Sequence, residues 1–128
     1  MGKWQYEVGN PRNDMSNDWA LFRLADFMLM RGEANFRLGN TAKALEDINR
    51  IRTRAGVPAF TALTEKNILD ERGRELAWEG WRRQDQIRFG TFDDAWQFKE
   101  ASAPTRALFP IPQRQIDGNP NLKQNPGY

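Results

Sequence analysis

Glu33-Ala34-Asn35-Phe36-Arg37-Leu38-Gly39-Asn40-Thr41-Ala42-Lys43-Ala44-Leu45 is the stretch on which the fold turns. One helical repeat of apolar residues ends at Gly39-Asn40, and a second begins just beyond Thr41. Glycine supplies the left-handed residue that closes many helices, and threonine is a favoured N-cap. Upstream, Leu21, Ala25, Met28 and Gly32 form one stripe and Leu24, Phe27, Arg31 and Ala34 its neighbour. This predicts a largely buried helix over 18–38. Downstream, Leu45, Ile48, Arg52 and Ala55 share a face that Ala44 and Ile51 widen, until Gly56-Val57-Pro58 stops it. Two helices joined by so few residues must be antiparallel neighbours.

That hairpin resembles a tetratricopeptide unit, with small residues at Ala34, Gly39 and Ala42 where helices of that type approach closely. A third, long helix is expected over 65–89, capped by Thr64 and ended by Gly90, with Ile68, Leu69, Leu76, Ala77 and Ile87 as its apolar contacts. A short helix over 93–99 would turn Trp96 inward. From Ala103 the character changes. Leu108-Phe109-Pro110-Ile111-Pro112 must be extended, because proline disfavours helix for the residue before it. Asn119-Pro120 and Asn125-Pro126-Gly127 are turn formers. The fold class is therefore all-α: a helical hairpin, a long third helix, and a Pro/Asn-rich coil over 103–128 packed on the helices by Leu108, Phe109, Ile111, Ile116 and Leu122. Residues 1–17, polar and rich in Asn, Asp and Pro, read as loop, and the whole of 1–128 as one domain.

Composition removes several function classes. Nineteen basic against seventeen acidic residues leave a net charge of +2, too little for the one-sided basic field of a nucleic-acid binder. With neither cysteine nor histidine, disulfides, thiolate metal sites and Ser–His or Cys–His catalysis are excluded within the chain. No glycine-rich phosphate loop is present, and Asp93-Asp94 alone is a weak signal for calcium, so neither cofactor nor metal is expected. The start lacks the apolar core of a signal peptide.

Four charged residues stand out. Arg72, Glu75, Glu79 and Arg82 would share one face of a continuous third helix. Two carboxylates one turn apart invite a glycosidase interpretation. Flanking arginines argue against it, because they favour ionised carboxylates over a proton-donating acid. An ion-pair network is the expectation. Trp4, Trp19, Trp78, Trp81 and Trp96 raise the question of sugar stacking. Packing is the usual fate of tryptophan. Only Trp81, set among Arg82, Arg83 and Gln84, is a candidate ligand contact. Among Arg50, Arg52 and Arg54, alternate residues do not share a helix face, which leaves Arg52 turned inward.

Three segments then carry a resemblance. The first is Phe22-Arg23-Leu24-Ala25-Asp26-Phe27-Met28-Leu29-Met30-Arg31-Gly32-Glu33-Ala34, continued by Ile48-Asn49-Arg50-Ile51-Arg52-Thr53-Arg54-Ala55-Gly56. The second runs from Glu71-Arg72-Gly73-Arg74-Glu75 through Trp81-Arg82-Arg83-Gln84-Asp85 to Phe89-Gly90. The third is Phe109-Pro110-Ile111-Pro112, then Asn119-Pro120-Asn121-Leu122-Lys123-Gln124-Asn125-Pro126-Gly127-Tyr128. In order and spacing they resemble the closing motifs of the SusD/RagB family of outer-membrane nutrient-binding lipoproteins. Gly73, Trp81, Arg83-Gln84 and Gln86 depart from the commoner residues.

The resemblance implies a non-enzymatic, surface-exposed outer-membrane protein of Bacteroidetes-type bacteria. It would capture glycans, oligosaccharides or peptides for a TonB-dependent transporter barrel of the SusC type. It also implies that the chain is the C-terminal part of a longer protein, whose lipid anchor and most ligand-contacting residues lie elsewhere. A helical-repeat scaffold that binds only protein is the alternative from another class, and an all-carboxylate glycosidase the remotest one.

Overall fold

Helix α1 (Leu24–Arg37) starts later than the apolar periodicity suggests, because Arg23 is extended and its side chain is committed elsewhere. In the computed structural model, the residues described are Lys3, Gly9, Asp18 and 20–128. The loop expected over 1–17, and Trp4 and Trp19, otherwise lie outside them. After α1 come α2 (Thr41–Arg54), α3 (Glu65–Glu75), α4 (Arg82–Arg88), a 3₁₀ turn at Pro104–Ala107 and α5 (Gln113–Gly118). The described residues are helical with no strands, apart from one isolated bridge between Trp96 and Lys99.

The hairpin forms where the sequence places it. Gly39 and Gly56 close the two helices at φ +78° and +70°. The close approach is not at Ala34 and Ala42, which are exposed. It lies one turn earlier, where a Cβ on Gly32 would stand 3.0 Å from Ile48 Cγ1, and beside fully buried Ala44. Ala25, Met28, Leu29, Ala44, Ile48 and Ile51 form the hairpin's share of a core completed by Leu63, Ile68 and Leu76. Burying a side chain such as Ile48 stabilises the fold by about 1.5–3 kcal/mol.

Only one side of α1 is covered. Leu24 and Phe27 are 72% and 56% exposed, with Leu21, Phe22, Met30 and Leu38 also bare. The expectation of a largely buried helix is corrected accordingly: the apolar stripe is wide, but the described residues cover only part of it.

The third helix is the main departure. Thr64 caps it in a capping box with Asn67, but it ends at Glu75 instead of running on to Phe89. Trp78 sits in the left-handed region at φ +67° and Gly80 at φ +82°. The chain breaks there and α4 folds back, so that Arg82 Nη1 donates to the Leu69 carbonyl at 2.9 Å. Gly73 makes room for this: a Cβ there would meet Arg82 Nη1 at 2.7 Å. Segment 91–99 is a set of turns, not a helix, and Trp96 is 44% exposed, not inward.

Beyond Ala103 nothing is buried. The apolar pins Leu108, Phe109 and Leu122 are exposed and Ile111 and Ile116 half-buried. The segment closes on itself with side-chain amides instead. Gln124 accepts from Ile111 N–H at 2.8 Å and donates to its carbonyl at 2.9 Å. Asn125 donates to Phe109 O and Tyr128 Oη to Leu108 O. Arg83 ties it to α4, donating to Ala107 O at 2.9 Å and lying 4.1 Å from the Phe109 ring centroid.

Candidate functional site

The buried charges Asp26, Arg72, Asp85 and Glu33 stand in one row of alternating sign that Arg88 and Arg37 complete at the surface. Arg72, on α3, is 2% exposed and donates through Nη1 to Asp26 Oδ1 of α1 at 3.1 Å and through Nε to Asp85 Oδ2 of α4 at 2.8 Å. Arg88 then donates to Asp85 Oδ1 at 2.9 Å and grips Glu33 with two bonds of 2.7 and 2.9 Å. Arg37 adds a bond of 3.0 Å to Glu33. Acid and base alternate from Asp26 through Arg72, Asp85, Arg88 and Glu33 to Arg37, so each charge is met by its opposite. This offsets the cost of removing them from water. Asp26 Oδ2 alone is buried without a partner among the described side chains.

The row holds Glu33 as the anion. Burial pushes the Glu33 carboxyl up, but the hydrogen bonds from Arg88 and Arg37 outweigh it and leave Glu33 below the ordinary range. The Glu33 hydrogen bonds raise Arg88 correspondingly. Glu33 is thereby unsuited to donate a proton.

The expected network of Arg72, Glu75, Glu79 and Arg82 is distributed over three places. It presupposed a continuous helix, and the break after Glu75 moves its members apart. Arg72 belongs to the buried row. Arg82 caps the Leu69 carbonyl. Glu75 and Glu79 stay together, joined by Arg23, whose Nη2 reaches Glu75 Oε1 at 3.0 Å and Glu79 Oε1 at 2.7 Å. Lys3 donates to Glu79 at 2.5 Å and Arg54 to Glu75 Oε2 at 2.5 Å. Burial raises the Glu79 carboxyl, yet Arg23 and Lys3 bring it below its usual value. Glu79 is therefore held as the anion, unsuited to donate a proton.

Trp81 is half-buried against the core, with the Phe22 ring tilted against it at 6.1 Å between centroids and Phe27 tilted against Phe22 at 6.0 Å. Trp78, which the sequence assigns to packing, is 74% exposed on its left-handed turn. Arg52 is inward as expected, pairing with Glu71 at 2.6 Å and lying 3.8 Å over Phe60. Asp93 accepts from Ser102 Oγ, and no cluster of carboxylates suited to a metal ion occurs among the described residues.

The family model for the SusD family matches residues 5–104 and 90–128. The chain belongs to the SusD family. It is 39% identical, over 87% of its own length, to the "Starch-binding protein SusD" of Bacteroides thetaiotaomicron. It is 34% identical, over 98% of its length, to the SusD-like protein P25 of Formosa agariphila. It spans only 22% and 28% of those two proteins. Among solved structures, a surface glycan-binding protein A from Bacteroides thetaiotaomicron superposes with a TM-score of 0.75 at 28% identity, covering 84% of this chain and 24% of that one. A SusD-like protein from Bacteroides fragilis gives 0.74 at 26% identity, over 86% of this chain and 26% of its own.

Within this SusD-family chain, the buried row joins the first two sequence segments that carry the resemblance. Asp26 and Glu33 come from one, and Arg72, Asp85 and Arg88 from the other. Sequence reasoning singled out Arg72 but missed its five companions. A signal was present, since Asp26 and Glu33 interrupt the apolar stripes of α1. A carboxylate on a buried face needs a cation, and only tertiary structure says which.

Proposed function

We propose that residues 1–128 form the helical part of a longer surface protein that captures glycans for import. In this reading it is lipid-anchored at the outer membrane and acts beside a TonB-dependent transporter barrel of the SusC type. It performs no catalysis. The observation that carries the proposal is the 39% identity, across 87% of the chain, to a protein named for binding starch. The geometry agrees with a holding role. Glu33 and Glu79 are kept ionised by arginines, the opposite of what a general acid requires. No helix among the described residues is long and apolar enough to cross a membrane, so attachment in this reading falls to the lipid anchor.

Affinity electrophoresis of the full-length protein in gels containing soluble polysaccharides tests the proposal, together with recovery of a TonB-dependent barrel on the tagged protein from outer membranes. Retardation by at least one glycan, with no release of reducing ends, is expected. Cleavage that disappears in Glu75→Gln or Glu79→Gln would overturn it. The bare apolar face of α1 favours one second reading, a scaffold that binds only protein. It gains if the barrel is recovered while no glycan retards migration.

A further inference from the structure

The turns after α4 build a second feature that none of the foregoing uses. Trp96 and Lys99 exchange backbone hydrogen bonds of 3.0 and 2.9 Å, with Phe98 at φ +67° between them. The Lys99 amine donates to Asp94 O at 2.9 Å, Glu100 O at 3.1 Å and Ser102 Oγ at 3.3 Å. It also stands 4.5 Å from the centre of the Trp96 ring. Ser102 returns to Asp93 through its N–H at 2.9 Å and its hydroxyl at 3.2 Å. The indole is thus fixed by a loop that buries no core residue, and a cation backs one of its faces. Such a ring is an aromatic surface held ready in advance, and preorganisation is what weak sites most need.

Trp96 borders a cavity of about 470 Å³ between this loop, α3 and α4. Asp94 from the loop and Gln86 from α4 also line it, and neither side chain has a hydrogen-bond partner among the described residues. A flat apolar ring beside a free carboxylate and a free amide matches a pyranose, which offers an apolar C–H face rimmed by hydroxyl groups. Carboxylate and amide together accept from and donate to those hydroxyls. The cations at the cavity are already directed elsewhere. Lys66 pairs with Asp70 at 2.5 Å, Arg82 turns to the Leu69 carbonyl, and the Lys99 amine is taken up by its own loop. A uronate or sulfated sugar would face Asp94, while Lys66 and Arg82 already have partners.

We infer that this cavity is an accessory glycan subsite, taking a neutral pyranoside against Trp96 with Asp94 and Gln86 on its hydroxyls. The inference rests on the glycan-capturing reading above and adds a place and a sugar class to it. Titrate the 128-residue chain with maltoheptaose, laminarihexaose and an oligogalacturonide, following ¹H–¹⁵N spectra, beside the full-length protein in calorimetry. Neutral oligosaccharides should shift the Trp96 indole and Gln86 amide signals, with dissociation constants on the order of millimolar. Trp96→Ala and Asp94→Ala, both at exposed positions, should each weaken this by about tenfold while the remaining amide signals stay in place. If the full-length protein binds glycan but Trp96→Ala changes neither its affinity nor the chain's spectra, the subsite is wrong and the glycan reading stands. If neither protein binds any of the panel, both are wrong. Tighter binding of the oligogalacturonide at Trp96 would overturn the assignment to neutral sugars.

Discussion

The helices and the closing segment of this molecule are held by different physics. From Leu24 to Phe89 the structure rests on an apolar core and a row of buried charges. From Ala103 to Tyr128 no side chain is buried, and order comes from Gln124, Asn125, Tyr128 and Arg83 bonding to backbone groups. In the helices, buried acids and bases specify which helix meets which. In the tail, amide side chains do the work that neighbouring strands would do elsewhere, as Gln124 does for Ile111.

If that division is right, substitutions should fall in a steep order. Ile48→Asp should be the most damaging, at about 5 kcal/mol, since it places an unpaired charge at a fully buried position. Leu45→Asp, half-buried, should cost less. Chemical denaturation monitored by circular dichroism ranks the two. Next comes Arg72→Ala, at about 3–4 kcal/mol, because Asp26 and Asp85 would be left buried without their cation. A loss below 1 kcal/mol would mean that the row contributes little.

Acid should act on the helices through Glu33 of the row and through Glu79 of the Arg23 cluster. Glu33 and Glu79 have depressed folded pKa values, so the stability they contribute is complete above the ordinary glutamate pKa, about 4.3. It is lost as pH falls from there through their lower folded values. The melting temperature should therefore be level from pH 7 to about 5 and drop below about 4, less steeply in Glu33→Gln. A melt unchanged down to pH 3 would contradict this sign and this cause.

The tail should behave independently. Gln124→Ala should speed hydrogen exchange at Ile111 and cost about 1 kcal/mol locally, leaving the helical melt in place. An equal fall in both would show that the two regions fold as one. Smallest of all should be Phe27→Ser, within about 0.5 kcal/mol, since Phe27 is exposed and meets only the exposed Phe22 ring among the described aromatic residues. A large loss there would mean that the face is covered.

What the sequence discloses follows the same division. The hairpin was legible because its signals are local: apolar period, Gly39, Thr41 and Gly56. The break after Glu75 was not. Residues 71–89 contain no proline and read as helix, with Gly73 and Gly80 the only hints against it. Helix is abandoned there for distant gains: Asp85 reaches Arg72, and Arg82 reaches the Leu69 carbonyl. Because Glu79 and Arg82 were placed on a helix that stops short of them, the four-membered network dissolved into three. Trp96 was misjudged for a related reason. The turn that exposes it is set by Lys99 and Ser102, whose side-chain bonds leave no periodic trace.

The proposed function has this chain supporting glycan capture while most of the binding site is built elsewhere. Isothermal titration of one soluble polysaccharide that the full-length protein retains, run in parallel on that protein and on residues 1–128, tests it most directly. Affinity in the isolated chain should be weaker by about a hundredfold or more, since concave sites need several converging groups. Equal affinity in both would place the whole site within these helices and turns, and would contradict the account.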